Sequence, residues 1–305
     1  MKTDNCIKIH YQIFIYYSTL KYEGEANMSK ILKYSEADEK SEETNFVEKL
    51  INYVKCNIIS VNFHLIRNEI LNMEVRDDDI WVCSFPKLGT TWTQEMVWCI
   101  ANNVNLEAAK SDLNERFPSL EKAHLPYNLL PIKLQQNVTN AKIVFVIRDP
   151  RDVCISYFHF LKLFENDGNF EEFCQMFLDG RLTYGSYWDH RLSYWNQRHS
   201  SNVLILKFED MKNDLKSVIH KTANFLGKNL TDTEMKKVLD HLSFERMKEN
   251  HAVNQRMSFG ILEKYDIIKT KGSFIRCGKV DQWKTVMNFE LEKKFEKWEK
   301  ENLRA

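Results

Sequence analysis

The sequence lacks the patterns that mark three common classes of protein. Its seven cysteines form no C-x-x-C pair, so neither a zinc site nor a disulfide framework is indicated, and a reducing compartment fits best. No apolar run approaches the length of a membrane span. The 43 basic and 43 acidic residues cancel, which argues against a nucleic-acid binder that relies on bulk charge. We therefore expect a cytoplasmic protein that binds neither membranes nor nucleic acid.

What the sequence contains is enough apolar material for one large domain. The chain has 305 residues, of which 43% are hydrophobic, so it can bury a full core. The polar, charged composition up to residue 44 predicts a flexible N-terminal extension over residues 1–44. Residues 45–305 are expected to form the folded domain.

An anion site is predicted in the stretch Phe85–Trp92, which follows an apolar strand and precedes a helical pattern. Gly89 allows the backbone to approach a ligand, and amides at a helix start attract negative charge. Thr90, Thr91 and Lys87 add two hydroxyl donors and a positive charge. The order differs from a nucleotide-kinase loop because the lysine precedes the glycine. A plain strand-to-helix turn with a solvated lysine is the alternative reading of this stretch alone.

Strands and helices alternate along the rest of the chain. The apolar runs at 80–85, 142–147 and 202–208 predict buried strands, and helices are expected at 93–101, 150–163, 170–179, 183–198, 214–226, 231–241 and 289–303. This alternation predicts a single α/β domain with a central, mostly parallel sheet flanked by helices. Lys87, Arg148 and Phe208 each lie where a strand ends, and parallel α/β sheets bind ligands at that edge. No acidic cluster accompanies the glycine loop, so no metal is expected.

Five blocks in this order resemble the cytosolic sulfotransferases, which use 3′-phosphoadenosine 5′-phosphosulfate (PAPS) and release 3′-phosphoadenosine 5′-phosphate (PAP). The blocks cover about three quarters of the chain, and they are Ser84–Trp92, Lys122–Pro126, Val146–Phe160, Phe208–Met211 and Phe274–Lys279. The resemblance includes the insect-type, retinol-dehydratase-like branch. It implies transfer of a sulfuryl group to a hydroxyl or amine of a small, largely apolar acceptor such as a phenol, alcohol, steroid or retinoid.

The resemblance also implies roles for the residues that bind the donor. The 5′-phosphosulfate is expected at the glycine loop, the 3′-phosphate at two arginines, and the adenine among aromatic side chains. The cofactor-binding set implied in this way is Lys87, Gly89, Thr90, Thr91, Trp92, Arg148, Ser156, Phe208, Ser243, Phe244, Arg276 and Gly278. Arginine suits the 3′-phosphate because its guanidinium matches phosphate oxygens bidentately.

Three catalytic roles follow from the same resemblance. His124 is the implied general base, because a neutral imidazole can accept a proton from the acceptor hydroxyl at physiological pH. Lys87 and Lys122 are the implied cations near the sulfuryl group, since such a transfer depends mainly on positioning and charge stabilisation. His159, one turn beyond Ser156, is expected to be a packing residue, as is the aromatic run at 184–195.

The sequence departs from the family pattern at four places. The interval from Trp98 to Lys122 is short, so part of the acceptor pocket and one strand are expected to be missing. Leu88, Phe208 and Cys277 replace a small polar residue, a tyrosine and a basic residue. A catalytically impaired PAP- or PAPS-binding relative, or a truncated isoform, is therefore the alternative function, and a P-loop kinase is a more distant one. Residues 284–290 resemble the short dimer motif of the family, so a homodimer is also considered.

Overall fold

The structure is a computed structural model that describes residues 67–68, 70–113, 116, 120–163, 168–182, 184–256, 259–260, 263 and 272–304. The expected N-terminal extension over residues 1–44 lies outside the described residues, so both it and the domain boundary after residue 44 stay predictions. Within the described residues, none of the helices combines the length and the hydrophobicity that a membrane span requires.

Four parallel strands form the centre of the fold. They are β1 (Ile80–Ser84), β2 (Leu120–Ala123), β3 (Lys142–Ile147) and β4 (Val203–Lys207), in the spatial order β2-β1-β3-β4. The register pairs Val82 with Val144 and Val144 with Leu204. The three longer strands were predicted from their apolar runs, and the parallel α/β sheet is confirmed.

Helices cover both faces of this sheet. Alternate residues of a strand point to opposite faces, so Val82 packs with helix α1 in one part of the core while Trp81 and Cys83 pack in another. The helices are α1 (Thr90–Ala101), α2 (Ile132–Gln135), α3 (Pro150–Lys162), α4 (Phe170–Leu178), α5 (Tyr187–Trp195), α6 (Phe208–Asn213), α7 (Leu215–Phe225), α8 (Asp232–His241), α9 (Phe244–Glu249), α10 (Trp283–Val286) and α11 (Phe289–Arg304).

Two predicted helix starts show the expected capping. The Asp149 side chain accepts a hydrogen bond from the Arg151 amide, and Pro150 is the first residue of α3, where its missing N–H costs nothing. At α8, Thr231 and Glu234 form a reciprocal capping box. Both helices therefore begin where the sequence predicted.

The expectation that the short interval before Lys122 lacks a sheet strand is wrong. Residues Leu120–Ala123 form β2 and pair with β1, Lys122 lying opposite Val82. Pro126 and Pro131 favour a loop for the segment 122–126, but its first two residues belong to β2. A four-residue strand with charged residues has little local signal, and its pairing with the buried β1 decides its conformation. The strand that leads to His124 is thus present.

Candidate active site

The carboxyl ends of the strands open into one cavity of about 310 Å³. It lies where parallel α/β sheets bind their ligands. Twelve of the fourteen predicted site residues line it, and they are Lys87, Gly89, Thr90, Thr91, Trp92, His124, Arg148, Ser156, Phe208, Phe244, Arg276 and Gly278. Of the other two, Ser243 does not line the cavity, and the Lys122 side chain lies outside what the structure describes. Ser243 caps α9 by accepting a hydrogen bond from the Arg246 amide.

The loop between β1 and α1 has the conformation of an anion cradle. Lys87 and Gly89 both have positive φ, at 70° and 99°, and α1 begins immediately afterwards at Thr90. A Cβ on Gly89 would lie 2.6 Å from the Phe208 ring, so only glycine fits there. Leu88, one of the departures from the family pattern, is 1% exposed and packs into the core. Its side chain therefore anchors the loop, while the backbone amides that open α1 face the cavity end of the sheet.

His124 is buried beside this cradle. Its Nδ1 lies 2.7 Å from the Ser84 carbonyl oxygen, which can only accept a hydrogen bond, so Nδ1 carries the hydrogen and Nε2 carries the lone pair. The Ser84 hydroxyl is 2.5 Å from Thr90 Oγ1 and 3.4 Å from His124 Nδ1. One serine thus joins the predicted base to the first residue of α1.

A second histidine packs beneath the loop that carries His124. His190 of α5 is fully buried, with its ring 5.8 Å from Phe145 and 5.6 Å from Phe85. Burial lowers the pKa of His190 from 6.5 to about 3, and the nearby backbone of His124 and Leu125 opposes this shift although neither ring nitrogen makes a hydrogen bond within the described residues. The imidazole is consequently neutral near pH 7. Together with buried Tyr187, Trp188 and Tyr194, it confirms that the aromatic run forms a packing face.

Lys87 is held between two aromatic rings. Its Nζ lies 4.3 Å from the ring centroid of Phe160 and the same distance from that of Phe274, so both ring faces attract the ammonium group. Phe160 belongs to α3, and Phe274 belongs to the segment 272–282 that closes the cavity. The positive φ of Lys87 and this pair of contacts together fix where its charge lies.

Arg148 supports the cradle from beneath. The side chain is 6% exposed, its guanidinium lies 4.2 Å from the Phe208 ring centroid, and it donates hydrogen bonds to the carbonyl oxygens of Lys87 and Lys279. Burial lowers its pKa, and the nearby Asp152 carboxylate opposes this effect. Arg148 therefore ties the cradle to the closing segment while keeping a cation in the cavity wall.

The closing segment carries a second group of polar side chains. Asp152 accepts hydrogen bonds from the amides of Asp281 and Trp283, which fastens the segment to α3. Arg276 bonds to Gln282 Oε1, and the Cys277 thiol donates to the same oxygen at 3.1 Å. Gly278 has φ of 54°, and a Cβ there would lie 2.8 Å from the Phe244 ring. The segment thus brings Arg276 into the lining of the cavity to which Ser156 also contributes.

Aromatic side chains line the far end of the cavity. The rings of Trp92 and Phe208 meet edge to face, with centroids 5.7 Å apart, and the Trp92 indole N–H donates to the Leu242 carbonyl oxygen at 2.9 Å. Phe244, which follows this turn, also lines the cavity. Phe208 has the position that a tyrosine was expected to occupy, and its ring fills the space above Gly89.

Three cationic or titratable residues of the cavity were not predicted as site residues. His159, expected to be a packing residue, is half-buried and lines the cavity, where burial and then Arg276 and Lys162 lower its pKa. Lys162 and Lys212 line it as well, Lys212 lying 5.5 Å from the Trp92 ring centroid. The spacing of Ser156 and His159 on one helix face could have identified His159. No such spacing indicates Lys212, because its place in the cavity depends on how α6 packs after β4.

Comparisons with known proteins agree with this geometry. The sulfotransferase domain model matches residues 77–305. Luciferin sulfotransferase of Photinus pyralis is 39% identical over 80% of this chain and 77% of its own length. Amine sulfotransferase of Oryctolagus cuniculus is 32% identical, over 81% of this chain and 88% of its own length.

Solved structures give the same result. Retinol dehydratase in complex with retinol and PAP superposes with a TM-score of 0.74 and 31% identity, covering 80% of this chain and 86% of that one. Mouse sulfotransferase SULT7A1 in complex with PAP gives a TM-score of 0.64 and 26% identity, over 79% and 88% of the two chains.

Proposed function

This chain belongs to the sulfotransferase family and is a PAPS-dependent sulfotransferase, and we propose that it transfers the sulfuryl group of PAPS to a hydroxyl or amine of a small, largely apolar acceptor. His124 is the general base of this proposal. The observation that carries it is the hydrogen bond between His124 Nδ1 and the Ser84 carbonyl oxygen, because it leaves the Nε2 lone pair as the proton acceptor in a buried site beside the cradle.

The residues of the cavity suit PAPS along its length. Gly89 and Gly278 are two positions where a Cβ would collide with an aromatic ring, so glycine lets Phe208 and Phe244 pack directly on the backbone that lines the cavity. The cradle amides, Thr90 and Thr91 would hold the 5′-phosphosulfate, and Arg148, Ser156 and Arg276 would hold the 3′-phosphate. Trp92, Phe208 and Phe244 offer the aromatic surface that an adenine needs. Ser243 is kept as a cofactor contact and no metal is proposed.

PAPS supplies an activated sulfuryl group, and the side chains of this chain orient and stabilise the transfer. Lys87, fixed between Phe160 and Phe274, places a positive charge where negative charge develops on the leaving phosphate. His124 accepts the proton that the acceptor hydroxyl or amine loses. Lys122, at the end of β2, is proposed as a second cation for the sulfuryl group. The burial of His124 strengthens its interaction with the acceptor, because water does not screen it.

The acceptor class rests on the apolar part of the cavity lining. Phe160, Leu163 and Phe274 supply apolar surface to the cavity that His124 also lines, and apolar walls with few polar groups are typical of small-molecule sites. The relatives named for luciferin, amines and retinol act on, or bind, small molecules of this kind. A homodimer and a cytoplasmic location are kept as predictions on the family resemblance.

The alternative is a relative that binds PAP or PAPS without transferring the group. The short interval between α1 and β2 favours it, because this interval was expected to supply part of the acceptor pocket. The presence of β2 and the burial of His124 favour transfer instead. Both lines of argument concern the segment that carries His124, so substituting His124 is the way to distinguish the two functions.

The deciding experiment measures PAP binding and sulfuryl transfer with the full chain. We expect calorimetry to show micromolar or tighter PAP binding, and labelled PAPS to transfer its sulfur to a phenol, a primary amine or retinol. His124→Ala should lose transfer by about 100-fold or more, the usual size of a general-base contribution, and keep its PAP affinity. His199→Ala, at an exposed turn, is the matched control. Binding without any transfer would establish the alternative, and absence of PAP binding would overturn both.

A further inference from the structure

A buried polar cluster lies one turn along α1 from the cradle residues Thr91 and Trp92. The Glu95 carboxylate is 0% exposed. It accepts hydrogen bonds from Arg116 at 2.7 and 3.3 Å and lies 2.6 Å from His241 Nε2. Three segments distant in the sequence therefore meet at one carboxylate, and none of these side chains lines the cavity.

His241 connects this carboxylate to the aromatic end of the site. It is the last residue of α8 and directly precedes Leu242, whose carbonyl oxygen accepts the Trp92 indole hydrogen bond. Phe244 follows two residues later and opens α9. The turn 242–244 is thus attached to α1 twice, once through Trp92 and once through the pair of Glu95 and His241.

Arg116 explains why Glu95 can be charged in this position. Its side chain is 3% exposed, it contacts the carboxylate with two nitrogens, and its guanidinium lies 4.5 Å from the Trp98 ring centroid. A bidentate guanidinium fixes the orientation of a carboxylate as well as its charge. The remaining Glu95 lone pairs are therefore aimed at His241 in one geometry.

The same cluster could be taken for a metal site, because Glu95, Cys99 and His241 bring ligand atoms within 4.8 Å of one another. The charges argue otherwise. Arg116 already neutralises the carboxylate, and a second cation would be repelled by it. Burial, reinforced by Glu95, raises the pKa of the Cys99 thiol, whereas metals bind the thiolate. The cluster is instead a hydrogen-bonded joint between α1 and α8.

We propose that Glu95 is a positioning residue which, through His241, fixes the turn 242–244 against the cradle helix and so pre-forms the aromatic end of the nucleotide site. This inference rests on the proposed function, since it assigns that turn to the adenine. Pre-forming a site raises affinity because less ordering remains to be done on binding. Loosening the joint should then weaken nucleotide binding without touching any residue that contacts the nucleotide.

The test uses substitutions of His241, because removing Glu95 would leave Arg116 buried without its counter-charge and endanger folding. A glutamine places its amide nitrogen where Nε2 was, and an asparagine is too short to reach Glu95. We expect His241→Gln to bind PAP like the wild type and His241→Asn to bind about tenfold more weakly, a size typical of coupling between sites. His220→Asn, exposed on α7, is the control and should change nothing.

Hydrogen exchange of the unliganded full chain tests independently whether the joint fixes the turn 242–244. In His241→Asn, amides of residues 242–247 should exchange faster than in the wild type, while those of β3 should be unchanged. Equal exchange and equal PAP affinity for the Gln and Asn variants would overturn the inference. If the wild type fails to bind PAP, the proposed function falls, and the exchange experiment still shows whether the joint fixes the turn.

Discussion

At the scale of single residues, the cradle depends on the absence of a Cβ atom at position 89. Gly89 has φ of 99°, and a Cβ there would lie 2.6 Å from a carbon of the Phe208 ring. The positive φ and the short distance to the Phe208 ring each require glycine at this position, and either one alone would be enough to require it. The sequence predicted this glycine correctly as the turn residue, but it could not show that Phe208, far along the chain, sets the steric limit.

Gly89→Ala should therefore weaken PAP binding strongly. The change adds backbone strain of about 1–3 kcal/mol and forces either the loop or the Phe208 ring to move, which displaces the amides of the cradle. Calorimetry with PAP measures the loss directly. We expect a decrease in affinity of at least about tenfold, corresponding to 1.4 kcal/mol.

Gly227→Ala is the matched control for this variant. Gly227 also has positive φ, at 69°, but a Cβ there would meet nothing within 4 Å. Its replacement should lower the free energy of unfolding by about 1–2 kcal/mol and leave PAP affinity unchanged. Wild-type affinity in Gly89→Ala would show that the cradle does not need this conformation.

At the scale of elements, helix α3 links the start of the site to its closing segment. It begins two residues after Arg148, carries Ser156, His159 and Phe160 into the cavity, and anchors residues 281–283 through Asp152. The desolvation of Asp152 raises its pKa, and Arg148 opposes that shift. How α3 begins therefore determines where several site residues lie.

Asp149→Ala should lower both stability and PAP affinity. The Asp149 side chain accepts the Arg151 amide hydrogen bond that caps α3, and losing such a cap costs about 1 kcal/mol. Asp214→Ala removes the equivalent cap of α7, where Asp214 accepts from the Ser217 amide. Urea unfolding should show similar losses for both variants, whereas calorimetry should show weaker PAP binding for Asp149→Ala alone. Equal affinities would mean that the start of α3 does not position the site.

The sequence predicted the long strands and helices, but it did not predict features that depend on contacts between residues far apart in the chain. The apolar run of β3 and the Asp149–Pro150 start of α3 are local signals, so both were found at their observed positions. Strand β2 has four residues and no apolar alternation, and it forms because β1 offers an unpaired edge. Likewise, Phe274 contacts Lys87 in a closing segment that Asp152 fastens to α3, and both contacts join residues far apart in the chain. The position of Lys212 in the cavity and the joint at Glu95 also depend on contacts between residues far apart in the chain.

At the scale of the whole molecule, the packing that supports the loop of His124 should make folding stability depend on pH. His190 is fully buried and its pKa falls from 6.5 to about 3. Between these two values the unfolded chain binds a proton at this residue and the folded chain does not. Acidification therefore favours the unfolded state, so the stabilising contribution is present above pH 6.5 and is lost as the pH falls toward 3.

His190→Phe should reduce this pH dependence, because phenylalanine keeps an aromatic ring against Phe145 and has no proton to bind. Each pH unit between the two pKa values corresponds to about 1.4 kcal/mol, so the wild type should lose about 2 kcal/mol more than the variant between pH 6.0 and 4.5. Urea unfolding at these two pH values measures the difference, and His199→Gln, at an exposed turn, should keep the wild-type dependence. A difference in the free energy of unfolding that is the same at both pH values would reflect packing alone. A difference in its pH dependence would reflect proton binding by His190. Identical slopes would contradict the burial of a neutral imidazole beneath the candidate base.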